Sequence, residues 1–415
     1  MTEKIEIQPV LIGADINVYS VARAFHERYG VNSIAYGRML LGAIKHSRII
    51  DFRTDKAIFE AEHFVETMRV LGESLRAEGK ITFLIGCSDP AVEMIIDNKQ
   101  KLEDLFIMPY IDRELKDNML NKKAFYALCD EHGMPHPETA VHRFGEPVSD
   151  CGLRYPIVVK PTNTILYWEH RFPGIEKVYY VNDLGQLNKI VSLIYEGGYS
   201  DDLIFQEFIP GDDTKIWTPT YYSDKHGRVK MMTLGHVLLE EHVPTARGND
   251  AAILVQHVPE LMQQLKSFLE AIGYIGFCNC DMKYDERDGK YKMFEVNIRQ
   301  GRSNYHVTAC GNNIAELLVE DYIHDRELPL KVQEDEFFWS LVPHCVVKKH
   351  VKDKALMEKV RASIRKGRFA NTMYYDKDLK LNFKRRFYLF LYSVNQIRKF
   401  NRYYKQNADV FDFKY

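Results

Sequence analysis

No CxxC pair occurs in this chain. Its seven cysteines are scattered without framework spacing, which speaks against a disulfide scaffold and a structural zinc site and for a reducing compartment. No apolar run reaches the ~18 residues of a membrane-spanning helix. The opening "MTEKIEIQPVLIG" has no signal-peptide core. The expectation is a soluble, cytoplasmic protein. A charge excess is also missing: the formal net charge is -2, which argues against a general nucleic-acid binder while leaving room for a local basic patch. The GxGxxG fingerprint of a dinucleotide fold is absent, as are HExxH and any Ser–His–Asp logic. No internal repeat or low-complexity linker interrupts the chain.

What remains is a balanced globular composition, 46% hydrophobic and 27% charged, over 415 residues. That is too long for one typical core and implies two to four lobes. "PVLIGADINVYSVARAFHERYG" reads as a buried strand, a turn at Gly13, and a helix with Val18, Ala22, Phe25 and Tyr29 on one face, closed by Gly30. "ITFLIGCSDPAVEMIIDN" repeats the pattern, with Asp89 as helix cap and Pro90 in the first turn. Alternation of this kind predicts a parallel α/β sheet, whose ligands sit at the carboxyl ends of the strands. Near residue 115 the texture changes. "DNMLNKKAFYALCDEHGMPHPET" predicts one capped helix with Leu120, Ala124, Phe125 and Leu128 inward, stopped at Gly133. Short strands follow, then a helix from Pro259 to Gly273 and a hairpin turning at "DERDG". Beyond about 331 the chain becomes basic and aromatic.

The hairpin carries the first chemical signal. In "YKMFEVNIRQGRSN", Glu295, Asn297 and Arg299 occupy alternate positions, so a strand sets them on one face. Asp281 on the facing strand would lie diagonal to Glu295, roughly 7–8 Å away at the backbone. Two carboxylates and an amide oxygen are hard ligands suited to magnesium held together with phosphates, and Arg299 would face developing negative charge. An acidic hairpin is equally often a solvated face, so the remaining residues matter. Lys160 ends the apolar strand "PIVVKP", where an ammonium needs a negative partner. Lys122 lies on the helix before Gly133, and "FQEFIPGDD" offers an apolar slot beside two acids. Cys278 and Cys280 share a strand face and read as core.

Lys122 with "HGMPHPET" behind it, "YPIVVKP", "IFQEFIPGDD", Asp281 in "GFCNCDMKYD" and "FEVNIRQGRS" occur in that order. Together they resemble the ATP-grasp superfamily of carboxylate–amine ligases. With "LIGADINVYSVARAFHERYG" and the "PGDD" hinge the pattern is most like the D-aspartate ligases of peptidoglycan assembly. The resemblance implies an α/β ATP-grasp architecture: an N-terminal parallel pre-ATP-grasp domain (1–117), an ATP-grasp domain (118–330) with an α+β lid at about 120–205 and a catalytic sheet, and a basic C-terminal extension (331–415). It implies ATP and two magnesium ions, with manganese as a substitute. By the same resemblance Lys122 and Lys160 hold phosphates, with Lys160 also near adenine. Gln206, Glu207, Phe208 and Ile209 line the adenine slot, and Asp213 takes the ribose. Asp281, Glu295 and Asn297 hold metal, and Arg299 stabilises the acyl phosphate and the following oxyanion. The partners implied are an amino-acid donor, D-aspartate activated at its β-carboxylate, and an amine acceptor, the lysine of a UDP-linked cell-wall pentapeptide. One departure stands out: the lid segment "TNTILYWEHRFPGIEK" has a single glycine, Gly174, so Lys177 or Arg171 is expected to share in phosphate binding.

Donor contacts are expected from Arg302, Ser303 and His306 after the metal strand, since an arginine fork suits a carboxylate, and from Arg247 in "EEHVPTARGND". Loop solvation is the plain alternative for His306 and Arg247. Asp15, Asn17, Ser88 and Asp89 lie at N-terminal strand ends, as grips for an amino group or as caps, with the cap favoured for Asp89. The tail "FKRRFYLFLYSVNQIRKFNRYYK" has seven basic residues and no acid, with Phe383, Phe387, Leu391 and Val394 on one helical face. It reads either as a helix packed on the core with a basic outer face or as a peripheral contact with the inner face of a membrane. Oligomeric state is left open.

Overall fold

The computed structural model describes residues 6–176, 178–243, 246 and 248–408. They form two compact units: Met1–Lys116 with Asp213–Asp281 and Val296–Tyr415, and Asp117–Asp212 with Met282–Glu295. The strands in chain order are β1 (Ile7–Ile12), β2 (Ser33–Gly37), β3 (Ile50–Thr54), β4 (Ile81–Gly86), β5 (Thr139–His142), β6 (Ile157–Pro161), β7 (Tyr179–Val181), β8 (Leu203–Glu207), β9 (Ile216–Ser223), β10 (Val229–Glu240), β11 (Asp250–Gln256), β12 (Gly276–Asp285), β13 (Lys290–Asn297), β14 (Lys331–Val332), β15 (Phe337–Ser340) and β16 (Phe369–Ala370). The helices are α1 (Ile16–Tyr29), α2 (Ala61–Ala77), α3 (Asp89–Asp97), α4 (Arg113–Leu120), α5 (Lys122–Glu131), α6 (Thr164–Glu169), α7 (Leu184–Glu196), α8 (Pro259–Ala271), α9 (Tyr305–Ala309), α10 (Ile314–Tyr322), α11 (His344–His350), α12 (Lys354–Arg365), α13 (Asp376–Leu379) and α14 (Phe383–Ala408).

In the larger unit an all-parallel sheet runs β3-β2-β1-β4. The apolar runs of β1 and β4 are almost wholly buried, as a sheet covered on both faces requires. Asp15 starts α1 by accepting the Asn17 N–H at 2.9 Å, and Gly30 ends it in the left-handed region at φ 70°. Val18, Ala22 and Phe25 are buried as their spacing predicts. Gly13 holds φ 143°, and a β-carbon there would come within 3.1 Å of the Cys87 β-carbon. Only glycine lets the turns after β1 and β4 close up this tightly. The unit's second sheet takes β12, β9, β10, β11, β15 and β16 in order, with β14 beside β10. β11, not anticipated from sequence, is central in it. Residues beyond 331 therefore complete this sheet: β15 pairs with β11, and Trp339 is wholly buried.

The smaller unit is an antiparallel sheet, β5-β8-β6-β7, whose core joins Ile157, Val159, Leu187, Val191 and Phe205. The single helix predicted across 117–133 is two. Asn121 accepts the N–H groups of Lys123 and Ala124 and so starts α5, leaving Leu120 at the end of α4, 41% exposed rather than inward. An asparagine that bonds local backbone interrupts a helix more readily than it continues one. The glycine-poor segment expected to form the lid contains α6, capped by Asn163. The Tyr167 hydroxyl donates to the Glu176 carbonyl at 2.8 Å and meets the Tyr179 hydroxyl at 2.8 Å.

Candidate active site

In the larger unit the base of the hairpin assembles a polar string. The Asn297 amide donates to Asp281 Oδ2 at 3.1 Å and to the Asn279 carbonyl at 3.2 Å. Arg299 Nη2 reaches Asn297 Oδ1 at 3.5 Å, and its Nε and Nη2 clasp Asp89 at 2.5 and 3.0 Å. Burial works against the Arg299 charge, but Asp89 first, then Asp281 and Asp15, more than restore it, so it is held firmly as a cation. Gly301 makes room for this strand end: a β-carbon there would lie 2.4 Å from Asn279 Oδ1.

Asp89 corrects the sequence reading. It is the first residue of α3, Ser88 stands at the cap position without a side-chain bond, and the Asp89 carboxylate is Arg299's bidentate partner. Pro90 at its shoulder marks a helix start but says nothing of what the carboxylate faces. Nearby, Arg302 Nε lies 3.3 Å from Asp15 Oδ2. Burial raises the Asp15 carboxyl, with Arg302 pulling the other way. Asn17 is wholly buried and donates to the carbonyls of Gln300 at 2.8 Å and Cys87 at 3.3 Å. Ser303 donates to Asp250 at 2.8 Å. Burial drives Asp250 up to about 6, against the pull of Ser303 and Arg302. His306 is on α9, not in a solvated loop. It is fully buried, which lowers it to about 4, and its Nδ1 lies 2.9 Å from the Ser303 carbonyl oxygen. Asp213 Oδ2 accepts from His242 Nε2 at 2.9 Å and from the Glu240 N–H at 3.0 Å.

In the smaller unit the predicted nucleotide residues form a second group. Lys122 Nζ lies 2.6 Å from Glu295 Oε2 and 3.3 Å from the Phe294 carbonyl. Lys160 Nζ donates to Gln206 Oε1 at 3.0 Å and stands 5.6 Å from the centre of the Phe294 ring. The Gln206 amide in turn donates to Tyr126 and Thr139, so its orientation is set from three sides. Glu207 is 9% exposed and takes Arg287 at 2.6 Å and Lys292 at 3.1 Å. Both cations also hold Asp285, at 2.6 and 3.0 Å. This network pins the end of β8 to the hairpin tip. The Phe208 N–H points to the Pro156 carbonyl at 3.4 Å, and Ile209 is buried. Lys177 and Arg247 lie outside the described residues, and Arg171 is exposed.

Asp250, His242, Arg287 and Lys292 are the polar residues that sequence reasoning passed over. The one available signal is an acid opening an apolar strand at Asp250. Arg287 and Lys292 read only as turn and edge residues. For metal, Asp281 adjoins Asn297 in the larger unit, and Glu295 stands two residues before Asn297 along β13. These are the hard oxygens that magnesium prefers.

No protein-family model matches the chain. A D-aspartate ligase of Enterococcus faecium (strain Aus0004) is 35% identical over 414 residues, covering 97% of this chain and 98% of that protein. The chain belongs to the D-aspartate ligase family. Solved structures agree on the ATP-grasp fold. N5-carboxyaminoimidazole ribonucleotide synthetase in its ADP complex superposes with a TM-score of 0.57 at 15% identity, covering 81% of this chain and 82% of that one. L-amino acid ligase from Bacillus licheniformis gives 0.52 at 17% identity, covering 76% and 74%. This D-aspartate ligase relative is thus an ATP-dependent carboxylate–amine ligase with ATP-grasp architecture.

Proposed function

We propose that the protein activates the β-carboxylate of D-aspartate with ATP as an acyl phosphate and joins it to the lysine side chain of a UDP-linked muropeptide, releasing ADP and phosphate. The observation that carries this reading is the string Asp89–Arg299–Asn297–Asp281, which fixes a charged guanidinium beside hard oxygen donors. The nearly full-length relative named a D-aspartate ligase supports the choice of donor.

A carboxylate carbon is a poor electrophile. Phosphoryl transfer from ATP supplies a leaving group, and that transfer depends on positioning and charge neutralisation. Magnesium, two ions of it, would be held by Asp281, Glu295 and Asn297 and would offset repulsion between triphosphate and carboxylate. Lys122 and Lys160, with Lys177, bind the phosphates. Gln206 to Ile209 receive the adenine, and Asp213 the ribose. Arg299 meets the oxyanion that forms when the amine attacks. It needs no reorganisation for this, because Asp89 already holds it from the side. Arg302 offers its fork to the donor's other carboxylate in exchange for Asp15, which is then free for the donor ammonium. Ser303, Asn17, Ser88 and His306 are assigned to the donor side of the site, and Arg247 joins them from its sequence position alone.

The test is ADP release with magnesium, ATP and UDP-linked lysine pentapeptide, supplying D-aspartate, L-aspartate, D-asparagine or D-alanine in turn, with product masses read in parallel. ADP and an aspartyl adduct with D-aspartate alone support the proposal. Turnover with a different donor overturns the donor assignment. ATP binding without ADP under any pairing overturns the acceptor assignment or, failing any acceptor, favours a regulatory module.

A further inference from the structure

α14 has two apolar faces, and the core uses one. Arg385, Leu389, Gln396 and Phe400 point inward, each at most 2% exposed. Arg385 is held by Asp378 at 2.8 Å and by the carbonyls of Ala43 and Lys45. On the opposite arc Phe383, Phe387, Phe390 and Leu391 are 71, 65, 60 and 49% exposed. At 3.6 residues per turn these four cover about 100° of the circumference, and exposed Lys384 and Arg386 fall on its two margins. The outer face is thus apolar with basic edges, not simply basic as one sequence reading had it.

The surface extends beyond the helix. Met39, Leu40 and Leu41 are 62, 47 and 41% exposed. The next residue, Gly42, packs so closely on Tyr388 that a β-carbon would lie 2.2 Å from its hydroxyl. Arg48 donates to the carbonyls of Lys380 and Leu381 at 3.3 and 3.0 Å, and Asn382 to that of His46 at 2.8 Å. One patch therefore combines the α14 stripe with the Met39–Leu41 tip. No Asp or Glu occurs from Arg38 to Ile50 or from Lys380 to Ala408, in a chain whose formal net charge is -2. Bare large apolar side chains flanked by basic residues are unusual on a soluble surface and mark a contact site. The charge selects an anionic occupant. The exposed arc of a surface helix suits a bilayer, where no shape match is required. Among the described residues no helix is long and apolar enough to cross a membrane, so α14 would lie on the lipid.

We propose that this patch docks the protein on an anionic lipid bilayer, with the Phe383–Leu391 stripe and the Met39–Leu41 tip entering the headgroup region and Lys384, Arg386 and Lys380 meeting lipid phosphates. The experiment is co-sedimentation of the full chain with vesicles of phosphatidylcholine alone or mixed equally with phosphatidylglycerol, with light scattering to read the oligomeric state. The expected result is about tenfold tighter binding to the anionic vesicles, weakening with added salt. Phe387→Ser/Phe390→Ser should lose most of the binding on both compositions, and Lys384→Gln/Arg386→Gln only the preference for the anionic one. All four positions are exposed, so far-UV circular dichroism and melting temperature should match the wild type. Wild type remaining in the supernatant with anionic vesicles overturns the proposal. So does a serine variant that sediments like wild type. A dimer that the serine variant converts to monomer, without lipid binding, overturns it in favour of a second copy as the occupant.

Discussion

Asp285 in the smaller unit is fully buried and Asp250 in the larger half-buried, and their carboxyls shift in opposite directions. Asp285 accepts hydrogen bonds from Arg287 at 2.6 Å and Lys292 at 3.0 Å. The Arg287 bond above all holds its carboxyl well below the usual range. Asp250 has the Ser303 hydroxyl and the more distant Arg302 charge, and burial carries it up to about 6. Burial alone raises a carboxyl, and direct cations reverse that. The smaller unit thus uses fully paired charges to lock one strand end to a hairpin tip. In the larger unit burial outweighs the Ser303 bond and the Arg302 charge at Asp250, and its carboxyl stays raised.

Three substitutions test that contrast. The largest effect is expected at Arg299, the charge we assign to chemistry. Arg299→Ala should lower ADP turnover by about 10²–10³-fold with little change in melting temperature, because its partner Asp89 is half exposed. A loss confined to stability would place Arg299 with the locking charges instead. Next, Asp285→Ala should destabilise the protein by about 3 kcal/mol in urea unfolding. That is the low end for a buried pair broken from one side, because Arg287 keeps 31% exposure. A change under ~1 kcal/mol would mean that Glu207 alone satisfies both cations. The smallest effect concerns pH. A carboxyl raised by folding contributes stability that is fully present below its unfolded value near 4 and is lost as pH rises through about 6. Asp250→Asn should therefore match wild type near pH 4 and melt roughly 2 °C higher above pH 6. An asparagine variant less stable than wild type at pH 7 would show that the Asp250 charge is compensated.

Much of this was readable from residues in order. Period-two alternation put Glu295 and Asn297 on one face of β13, though the strand ends there and Arg299 falls two residues past it; the Gly30 cap closed α1, and Cys278 and Cys280 proved to be core. Short-range rules sufficed because strand pleat and helix caps involve only neighbours. They failed where a short-range signal had a long-range partner. Asp89 looked like a cap because Pro90 follows it, yet it pairs with a residue 210 positions away. Asn121 was read through, although its side chain divides two helices. The apolar face of α14 was visible in the sequence, but not the fact that Arg385, a charged residue, lies inward and Phe383 outward.

The sequence by itself determined most of the elements, though not β11 or the break at Asn121, together with the order of the ligase motifs and the kinds of donor atom available, because each depends on local geometry and side-chain chemistry. Only the tertiary structure decided which charges meet, which carboxyl is raised and which lowered, and which face of the last helix stays bare. Those outcomes depend on the burial and pairing of residues hundreds of positions apart, where desolvation and direct hydrogen bonds compete and the local sequence carries no record of the result.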